Sequence, residues 1–320
     1  MLRTYRRLLC RSFVPSKKKD GVESPTGRFN LGVATVSLAY VALLAKENGT
    51  DFYKELDIAC EIAFEGNMFR VGRMKGTKAN VSPILWQYGA LATLQPEDTI
   101  DHLFYNGNAT CSIGYGGLAE ALEILGDCTK EKGLEVLRFM KSKTEEFTER
   151  TNITFSVYGS PLENGAYKFA ECIKRDFPEY NLGKDFVTNS FHLPVYADLS
   201  MEEKFEWESD FFKLSSGGNV NNIELPNLEH NIPALEGVVR MAYDKVNYLI
   251  CNQPIDACYE CGFTGEFKAT EEGLRCPDCG NGDPETATAT RRVSGYIHDA
   301  LARPANKGKY GEQKVRAKNM

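Results

Sequence analysis

The 320-residue sequence predicts an α/β protein with a parallel sheet and a small cysteine-rich module near its C-terminus. Two observations predict this fold class. Short β-rich runs alternate with amphipathic helical stretches through the middle of the chain, and such units favour parallel strands joined by crossover helices. After them, four cysteines between Cys258 and Cys279 form two Cys-x2-Cys pairs.

Composition narrows the class of protein. The chain is 42% hydrophobic and 26% charged, which suits one large or two smaller globular domains. Its net charge of −6 gives no reason to expect a nucleic-acid partner. The sequence contains no run of eighteen apolar residues, so no membrane span is predicted. The six other cysteines lack the dense spacing of a secreted disulfide scaffold, so a reducing cytoplasm is expected; they are Cys10, Cys60, Cys111, Cys128, Cys172 and Cys251.

The first nine residues are rich in arginine and contain no acid, as in a transit peptide. Their apolar run is too short for a secretory signal. We expect no transit peptide either, because Cys10 already belongs to a motif described below.

The predicted elements follow one another in a regular order. The predicted strands cover 33–38, 109–115, 154–158, 187–193, 220–225 and 248–252. The predicted helices cover 39–46, 52–74, 118–125, 129–149, a segment from 162 onward, and 234–248. In the second helix, apolar residues at helical spacing are expected to face the core: Leu56, Ala59, Ile62, Ala63 and Phe69. In the fourth helix the same is expected of Leu134, Leu137 and Met140.

The two cysteine pairs predict a structural zinc site. Cys258 with Cys261, and Cys276 with Cys279, each place two sulfurs on one tight turn. Four thiolates complete a tetrahedron with no open position for water, as in structural zinc sites. A redox dithiol or an iron–sulfur cluster is the alternative, but the symmetric pairing favours zinc.

The segment 291–296 reads Arg-Arg-Val-Ser-Gly-Tyr. On its own, the Ser-Gly step in it predicts only a turn. The whole string resembles the loop of glycyl-radical enzymes, in which Gly295 would store the radical on its Cα. The loop residues around it would be Arg292, Val293, Ser294 and Tyr296. With a zinc ribbon just upstream, the chain resembles the anaerobic (class III) ribonucleoside-triphosphate reductases.

The resemblance implies a fold and a domain order. It extends from Cys10 to the C-terminus but matches only the C-terminal half of the family. The fold implied is the second half of a ten-stranded α/β barrel, followed by the zinc ribbon and radical loop. The segments expected are a finger loop over 1–30, the half-barrel over 31–253 and the radical domain over 254–320. We expect a separately encoded N-terminal half. An inactive remnant, or a module used only for its zinc ribbon, is the alternative.

The segment Cys10–Phe13, Cys-Arg-Ser-Phe, resembles the tip of the family's finger loop. The resemblance makes Cys10 the transient thiyl radical, although an ordinary buried cysteine is the plain interpretation. Asn30 would then hydrogen-bond the hydroxyls of the substrate. One position departs from the family, because Leu9 stands where glycine is usual.

Three loops after predicted strands carry further candidates. Ser160 and Glu163 fit a helix-capping box, whereas the resemblance makes Tyr158 and Glu163 active-site residues and Ser160 a candidate phosphate contact. His192 lies in a matching string, but we favour a structural role for it. A serine–glycine loop supplies the other candidate phosphate contacts, which are Ser216, Gly217 and Gly218.

The resemblance also implies cofactors and partners. An activase with a [4Fe-4S] cluster would use S-adenosylmethionine to form the radical at Gly295, which would pass to Cys10. The thiyl radical would take the 3′ hydrogen of a ribonucleotide, with formate as the expected reductant. ATP binding and a homodimer of the completed enzyme are further expectations.

Overall fold

The computed structural model describes residues 8–9, 12–13, 17–19, 22–24, 26–228, 230–243, 245–270, 272–292, 297–302 and 306–319. The chain divides into two compact units. The first comprises residues 1–160 and 211–219, and the second comprises 161–210 and 220–320. These limits differ from the three segments expected from the sequence, which remain a prediction.

Strands and helices follow one another through the middle of the chain, from β5 to β9, as predicted; the N-terminal and cysteine-rich segments consist of consecutive short strands. The strands are β1 Leu8–Leu9, β2 Ser12–Phe13, β3 Lys17–Lys19, β4 Val22–Ser24, β5 Phe29–Ser37, β6 Ala109–Gly116, β7 Thr154–Gly159, β8 Asn221–Glu224, β9 Leu249–Asn252, β10 Asp256–Cys258, β11 Thr264–Gly265, β12 Lys268–Thr270, β13 Gly273–Arg275, β14 Ala287–Thr288, β15 Thr290–Arg292 and β16 Ile297–Asp299. The helices are α1 Leu38–Asn48, α2 Phe52–Met74, α3 Pro83–Trp86, α4 Leu118–Leu125, α5 Lys130–Thr151, α6 Gly165–Asp176, α7 Met201–Glu208, α8 Phe211–Leu214, α9 Ile232–Ala242 and α10 Lys307–Lys314. Two 3-10 helices cover Ala79–Val81 and Asp101–Phe104.

The first unit is built on the parallel sheet β5–β6–β7. Its helices begin where side chains cap their free amides: Ser37 accepts from the amide of Tyr40, and Asp51 accepts from those of Tyr53 and Lys54. Strand β5 runs directly into α1, and helices α2 and α5 then pack on the same sheet. The expectation of parallel β-then-α units is therefore confirmed for this unit.

The second unit contains a shorter parallel pair, β8 and β9, connected through α9. Its core is formed by apolar side chains from α7, the β8 region and α9, among them Phe205, Ile223 and Val238. The cysteine-rich module follows with the antiparallel order β11–β10–β14 and the hairpin β12–β13. The antiparallel pair β15–β16 and helix α10 complete this unit.

Several predicted features differ from the structure. Residues 187–193 form no strand in the described chain; they are a buried turn in which Ser190 has a φ of 41°. Helix α2 is continuous, but Ile62 and Phe69 are 64% and 70% exposed, so they are not core residues. The residues of α2 that are buried lie on the opposite side of the helix and include Cys60. In the part of the chain that the structure describes, no helix is long and apolar enough to cross a membrane.

Candidate active site and metal centre

The sheet β5–β6–β7 has two chemically different faces. On one face, the Phe155 ring contacts Phe64 of α2 and Phe147 of α5. Neighbouring residues of a strand point to the opposite face, where the Ser112 and Ser156 hydroxyls lie 2.9 Å apart and both side chains are buried. The face turned away from the helices is therefore polar and lined by small side chains.

Gly114 belongs to this polar face, and its lack of a side chain is required there. A Cβ at Gly114 would lie 2.5 Å from Thr35 Oγ1 and still closer to Ser160 Oγ. Those two hydroxyls are 3.0 Å apart. Ser160 therefore bonds within the sheet and does not cap a helix: α6 begins only at Gly165, and the structure contradicts the capping-box interpretation.

The finger motif, as far as it is described, lies against this face. The backbone amide of Phe13 donates to the Gly217 carbonyl at 2.8 Å. The Ser12 hydroxyl donates to the same carbonyl at 3.3 Å and accepts a hydrogen bond from the Asn30 side-chain amide. Asn30 Oδ1 is buried and has no hydrogen-bond partner among the described residues. Asn30 therefore keeps an acceptor available beside the motif that contains Cys10.

The serine–glycine loop lies beside the end of β7. Gly218 pairs with Tyr158 as a parallel bridge, and the Gly217 amide donates to the Val157 carbonyl at 2.7 Å. The Gly218 amide donates to Ser215, so neither glycine amide is directed to a ligand here. A Cβ at Gly217 would lie 2.5 Å from Ser156 Oγ, so glycine permits the close approach. Phosphate binding by this loop stays a prediction that would depend on hydroxyl groups such as that of Ser216.

The segment after β7 contains a strained residue. Leu162 has a φ of 44°, which is uncommon for a residue with a branched side chain and frequent near functional sites. Glu163, the predicted proton acceptor, follows it and is half-buried.

His192 has the structural environment that the sequence favoured. Its Nδ1 is 2.6 Å from Glu208 Oε1, and Glu208 also accepts from the Asn221 side chain at 2.6 Å. Burial would raise the pKa of Glu208, but the His192 ring and the Lys204 ammonium outweigh burial and lower it. Glu208 is completely buried, so His192 joins a buried hydrogen-bond network through its Nδ1.

The four predicted cysteine ligands come together. All four sulfurs lie within 4.8 Å of one another, and the Sγ atoms of Cys258 and Cys279, like those of Cys261 and Cys276, are 3.6 Å apart. Sulfurs bound tetrahedrally at about 2.3 Å from a zinc ion are roughly 3.8 Å apart. The sulfurs are therefore spaced as four ligands of one metal ion.

The two cysteine pairs sit on matching turns. The amides of Gly262 and Gly280 donate to the carbonyls of Cys258 and Cys276 at 3.0 and 2.9 Å. Both glycines have positive φ, 79° and 75°, which explains their position after each pair. The Cys261 amide, with the Asn281 side chain, lowers the pKa of Cys258 to about 6. Amides directed at the sulfur favour the thiolate that a metal requires.

The residues before the predicted radical loop are firmly held. Arg291 pairs with Asp256, the first residue of β10, which leads to Cys258. Arg292 pairs with Glu224 at 2.5 Å and lies opposite Ile297 in the β15–β16 register. The predicted site residues that lie outside the described residues are Cys10, Val293, Ser294, Gly295 and Tyr296.

Several residues of the site were not identified from the sequence. Thr35, Ser112 and Ser156 line the polar face, and Glu224 binds Arg292. A sequence signal existed for the first group: β6 places Thr, Ser or Gly at every second position, from Thr110 to Gly116, which is unusual for a buried parallel strand. No comparable signal marks Glu224, because its partner is 68 residues away in the chain.

Comparison with known proteins gives a consistent result. The family profile described as anaerobic ribonucleoside-triphosphate reductase matches residues 3–318. The reductase of that name from Haemophilus influenzae is 39% identical over 97% of this chain and 45% of its own length. That of Enterobacteria phage T4 is 36% identical over 97% of this chain and 52% of its own length. The chain thus spans about half the length of these relatives.

Solved structures agree at the level of the fold. An anaerobic ribonucleotide reductase superposes with a TM-score of 0.62 at 20% identity, covering 89% of this chain and 44% of that one. The Thermotoga maritima enzyme with glycerol in its active site gives 0.60 at 19% identity, covering 95% and 46%. From the match over residues 3–318, the chain belongs to the anaerobic ribonucleoside-triphosphate reductase family.

Proposed function

We propose that the chain is the C-terminal catalytic portion of an anaerobic ribonucleotide reductase that converts ribonucleoside triphosphates to 2′-deoxyribonucleotides by radical chemistry. Gly295 stores the radical, and Cys10 carries it during turnover. A separately encoded N-terminal half completes the barrel and the nucleotide-binding parts. The finished enzyme is a cytoplasmic homodimer that binds ATP.

The observation that carries this proposal is the convergence at the polar sheet face. Ser12, two residues after Cys10, lies against Gly217 and accepts a hydrogen bond from Asn30. Asn30 Oδ1 is buried without a partner among the described residues, as expected of an acceptor reserved for a substrate hydroxyl. Tyr158 lies next to the same glycine loop. Three other stretches of the chain thus meet at the segment that carries the proposed thiyl cysteine.

The chemistry assigns one role to each residue. The radical at Gly295 takes the hydrogen atom of the Cys10 thiol, and the Cys10 radical takes the 3′ hydrogen of the ribose. The 2′ hydroxyl then leaves as water, with Glu163 accepting and returning a proton at the hydroxyls. Tyr158 and Asn30 hold the ribose by hydrogen bonds. Formate supplies the two electrons and leaves as carbon dioxide. The additional cysteine that this reductant requires lies in the N-terminal half.

The four-cysteine centre is proposed to hold zinc. Four thiolates in a closed set match structural zinc, which supplies folding energy and no open coordination position. Its role is to fix the segment that leads to Gly295, because β10 begins at the Asp256 that binds Arg291. A radical activase with a [4Fe-4S] cluster, using S-adenosylmethionine, is the partner that removes hydrogen from Gly295.

The test is electron paramagnetic resonance under strict anaerobiosis. The metal-loaded chain is mixed with a class III activase, S-adenosylmethionine and a reductant, with and without an N-terminal half. We expect a glycine-type doublet that is lost in Gly295→Ala. Gly237→Ala is the matched control, because nothing lies within 4 Å of a Cβ at this helical glycine. Loss of the doublet in both variants would exclude a specific role for Gly295.

A second arm separates radical storage from turnover. Cys10→Ser is expected to keep the doublet and to abolish deoxyribonucleotide formation in the complemented enzyme, whereas the exposed Cys128→Ser retains both. Absence of a doublet in every mixture, from folded chain that holds metal, would contradict the enzyme proposal and favour the inactive remnant.

A further inference from the structure

A cluster of five charged side chains is buried in the second unit. Glu224, Arg292, Lys309, Glu312 and Arg316 have side chains that are at most 6% exposed. Arg316 Nη2 lies 2.8 Å from Glu312 Oε1, and Lys309 binds the other oxygen of that carboxylate. Glu224 receives Arg292 at 2.5 Å and Arg316 at 3.8 Å. Three cations and two anions therefore share one buried site.

The cluster is held in place from the C-terminal side. A Cβ at Gly308, in the first turn of α10, would lie 2.7 Å from Tyr167 Cβ and closer still to the Asp185 carbonyl, so α10 packs tightly on this part of the unit. After the helix, the Asn319 amide donates to the Glu224 carbonyl at 2.8 Å, and its side chain accepts from the Glu224 amide at 3.0 Å. The tail is thus fixed along the end of β8.

This fixed tail also binds the backbone of Arg292. Arg316 Nη1 donates to the Arg292 carbonyl at 3.0 Å, and the Gln313 side-chain amide donates to it at 3.4 Å. The Arg292 side chain and its backbone are therefore both bound by the cluster. Arg292 and Ile297 face each other across β15 and β16, and Gly295 lies between them in the sequence. The cluster is therefore bonded to Arg292, the residue that immediately precedes the 293–296 segment.

We propose that Glu224 and Arg316 are positioning residues for the radical loop: they hold Arg292 by its side chain and its carbonyl, and so fix the end of the chain segment that carries Gly295. The inference rests on the proposed function, since it assigns a purpose to that segment. It adds to the zinc centre a second anchor. Arg291 is bound to the cysteine-rich module, while Arg292 is bound to β8 and the C-terminal tail.

The charge balance of the cluster decides which variant best separates a loss of positioning from a loss of folding. Glu224→Gln leaves three buried cations with one anion and is expected to weaken folding as well as positioning. Arg316→Met leaves two cations and two anions, keeps most of the side-chain volume and removes the shorter of the two hydrogen bonds to the Arg292 carbonyl. Lys318→Met is the matched control, because Lys318 lies two residues away and forms a partly exposed ion pair with Glu266 at 2.9 Å.

The experiment is hydrogen exchange of the metal-loaded chain, read by mass spectrometry and independent of any activity. We expect Arg316→Met to accelerate exchange in peptides covering 290–302 by about tenfold or more, with no change in peptides covering 258–280. Glu224→Gln accelerates the same peptides, and Lys318→Met behaves as the unaltered chain. Unchanged exchange over 290–302 in Arg316→Met, or equal acceleration throughout 161–320, would overturn the proposal.

Electron paramagnetic resonance then tests whether the contacts of Arg316 affect the radical at Gly295. In the activated mixture, Arg316→Met is expected to give a weaker and shorter-lived doublet than Lys318→Met at equal metal content. Equal doublets in the two variants would overturn the positioning role. A chain that forms no doublet at all contradicts the proposed function instead, and hydrogen exchange still decides whether the anchor exists.

Discussion

Two consecutive arginines are held by ion pairs in two differently built regions: Arg291 binds Asp256 in the module of the cysteine centre, and Arg292 belongs to the buried charge cluster. The cysteine centre gathers four ligands from 22 residues of sequence, on two turns of the same design. The charge cluster gathers its members from β8, β15, α10 and the tail after α10, as far apart as Glu224 and Arg316. A metal centre can be formed by a short segment alone, whereas buried charges require the surrounding fold to exclude water and to supply every partner.

The comparison predicts that mutations in the cysteine centre and in the charge cluster will unfold different parts of the second unit. Removal of a metal ligand should unfold the module around it and leave the rest of the unit folded. Removal of a buried anion should lower the stability of the whole unit, because it leaves unpaired cations in a cluster that connects distant elements.

Loss of the metal is the largest effect expected. Cys276→Ser removes one of four thiolates, and structural zinc contributes on the order of 10 kcal/mol to the folding of small modules. We expect bound metal to fall from one ion per chain to less than about a tenth of that, with rapid hydrogen exchange over 256–290. Cys128→Ser, which changes an exposed thiol that is not one of the four grouped cysteines, should retain the metal. Full metal content in Cys276→Ser would exclude a four-thiolate site.

Neutralising one member of the charge cluster is expected to have the second-largest effect on stability. Glu224→Gln leaves Arg292 without its anionic partner in a buried site, which typically costs about 3–5 kcal/mol. Glu266→Gln removes an exposed partner of Lys318 and should cost at most about 1 kcal/mol. Urea unfolding of both variants measures the difference. Equal midpoints would mean that the buried cluster adds no stability beyond that of a surface pair.

Acid should weaken the cluster through the same carboxylate. Arg292 and Arg316 outweigh burial and lower the pKa of Glu224 to about 2, below its unfolded value of about 4.5. A carboxyl with a lowered pKa stabilises the folded state above its unfolded pKa, and this contribution is lost as the pH falls through the folded value. The shift corresponds to about 3 kcal/mol, lost between roughly pH 4.5 and 2.

The measurement is the unfolding free energy at pH 6 and at pH 3 for the unaltered chain and for Glu224→Gln. We expect the difference between the two proteins to shrink at the lower pH. Metal release affects both proteins and so drops out of this difference. A constant difference would show that Glu224 does not titrate as described.

Changes in the packing of α10 are expected to have the smallest effect on stability. They test whether this helix packs tightly on the second unit. Gly308→Ala places a Cβ against Tyr167 and Asp185, and overpacking of this kind costs about 1–3 kcal/mol. Gly311→Ala, in the same helix, meets nothing closer than 3.9 Å and should gain up to about 1 kcal/mol from helix propensity. Thermal unfolding should shift in opposite directions for the two variants. A shift in the same direction would contradict the close packing at Gly308.

Sequence patterns succeeded where the cause was local. The helix predicted over 118–125 coincides with α4, and that over 129–149 is α5, capped by Thr129. Periodicity failed in α2, where Ile62 and Phe69 fit an inward stripe yet are exposed. It also failed at 187–193, because Val187 and Phe191 are buried in a turn as completely as they would be in a strand. Burial alone does not distinguish those two conformations.

The sequence by itself determined the grouping of the four cysteines and the parallel β-then-α units of the first unit, and it supplied the candidate residues of the radical loop and finger motif, which stay predictions. Each depends on neighbours a few residues apart, whose spacing fixes which groups can meet. Only the tertiary structure decided the polar face of the sheet, the place of Asn30 beside Ser12, and the pairing of Arg292 with Glu224. Those contacts join residues far apart in the chain, and their strength comes from shared burial that no local pattern records.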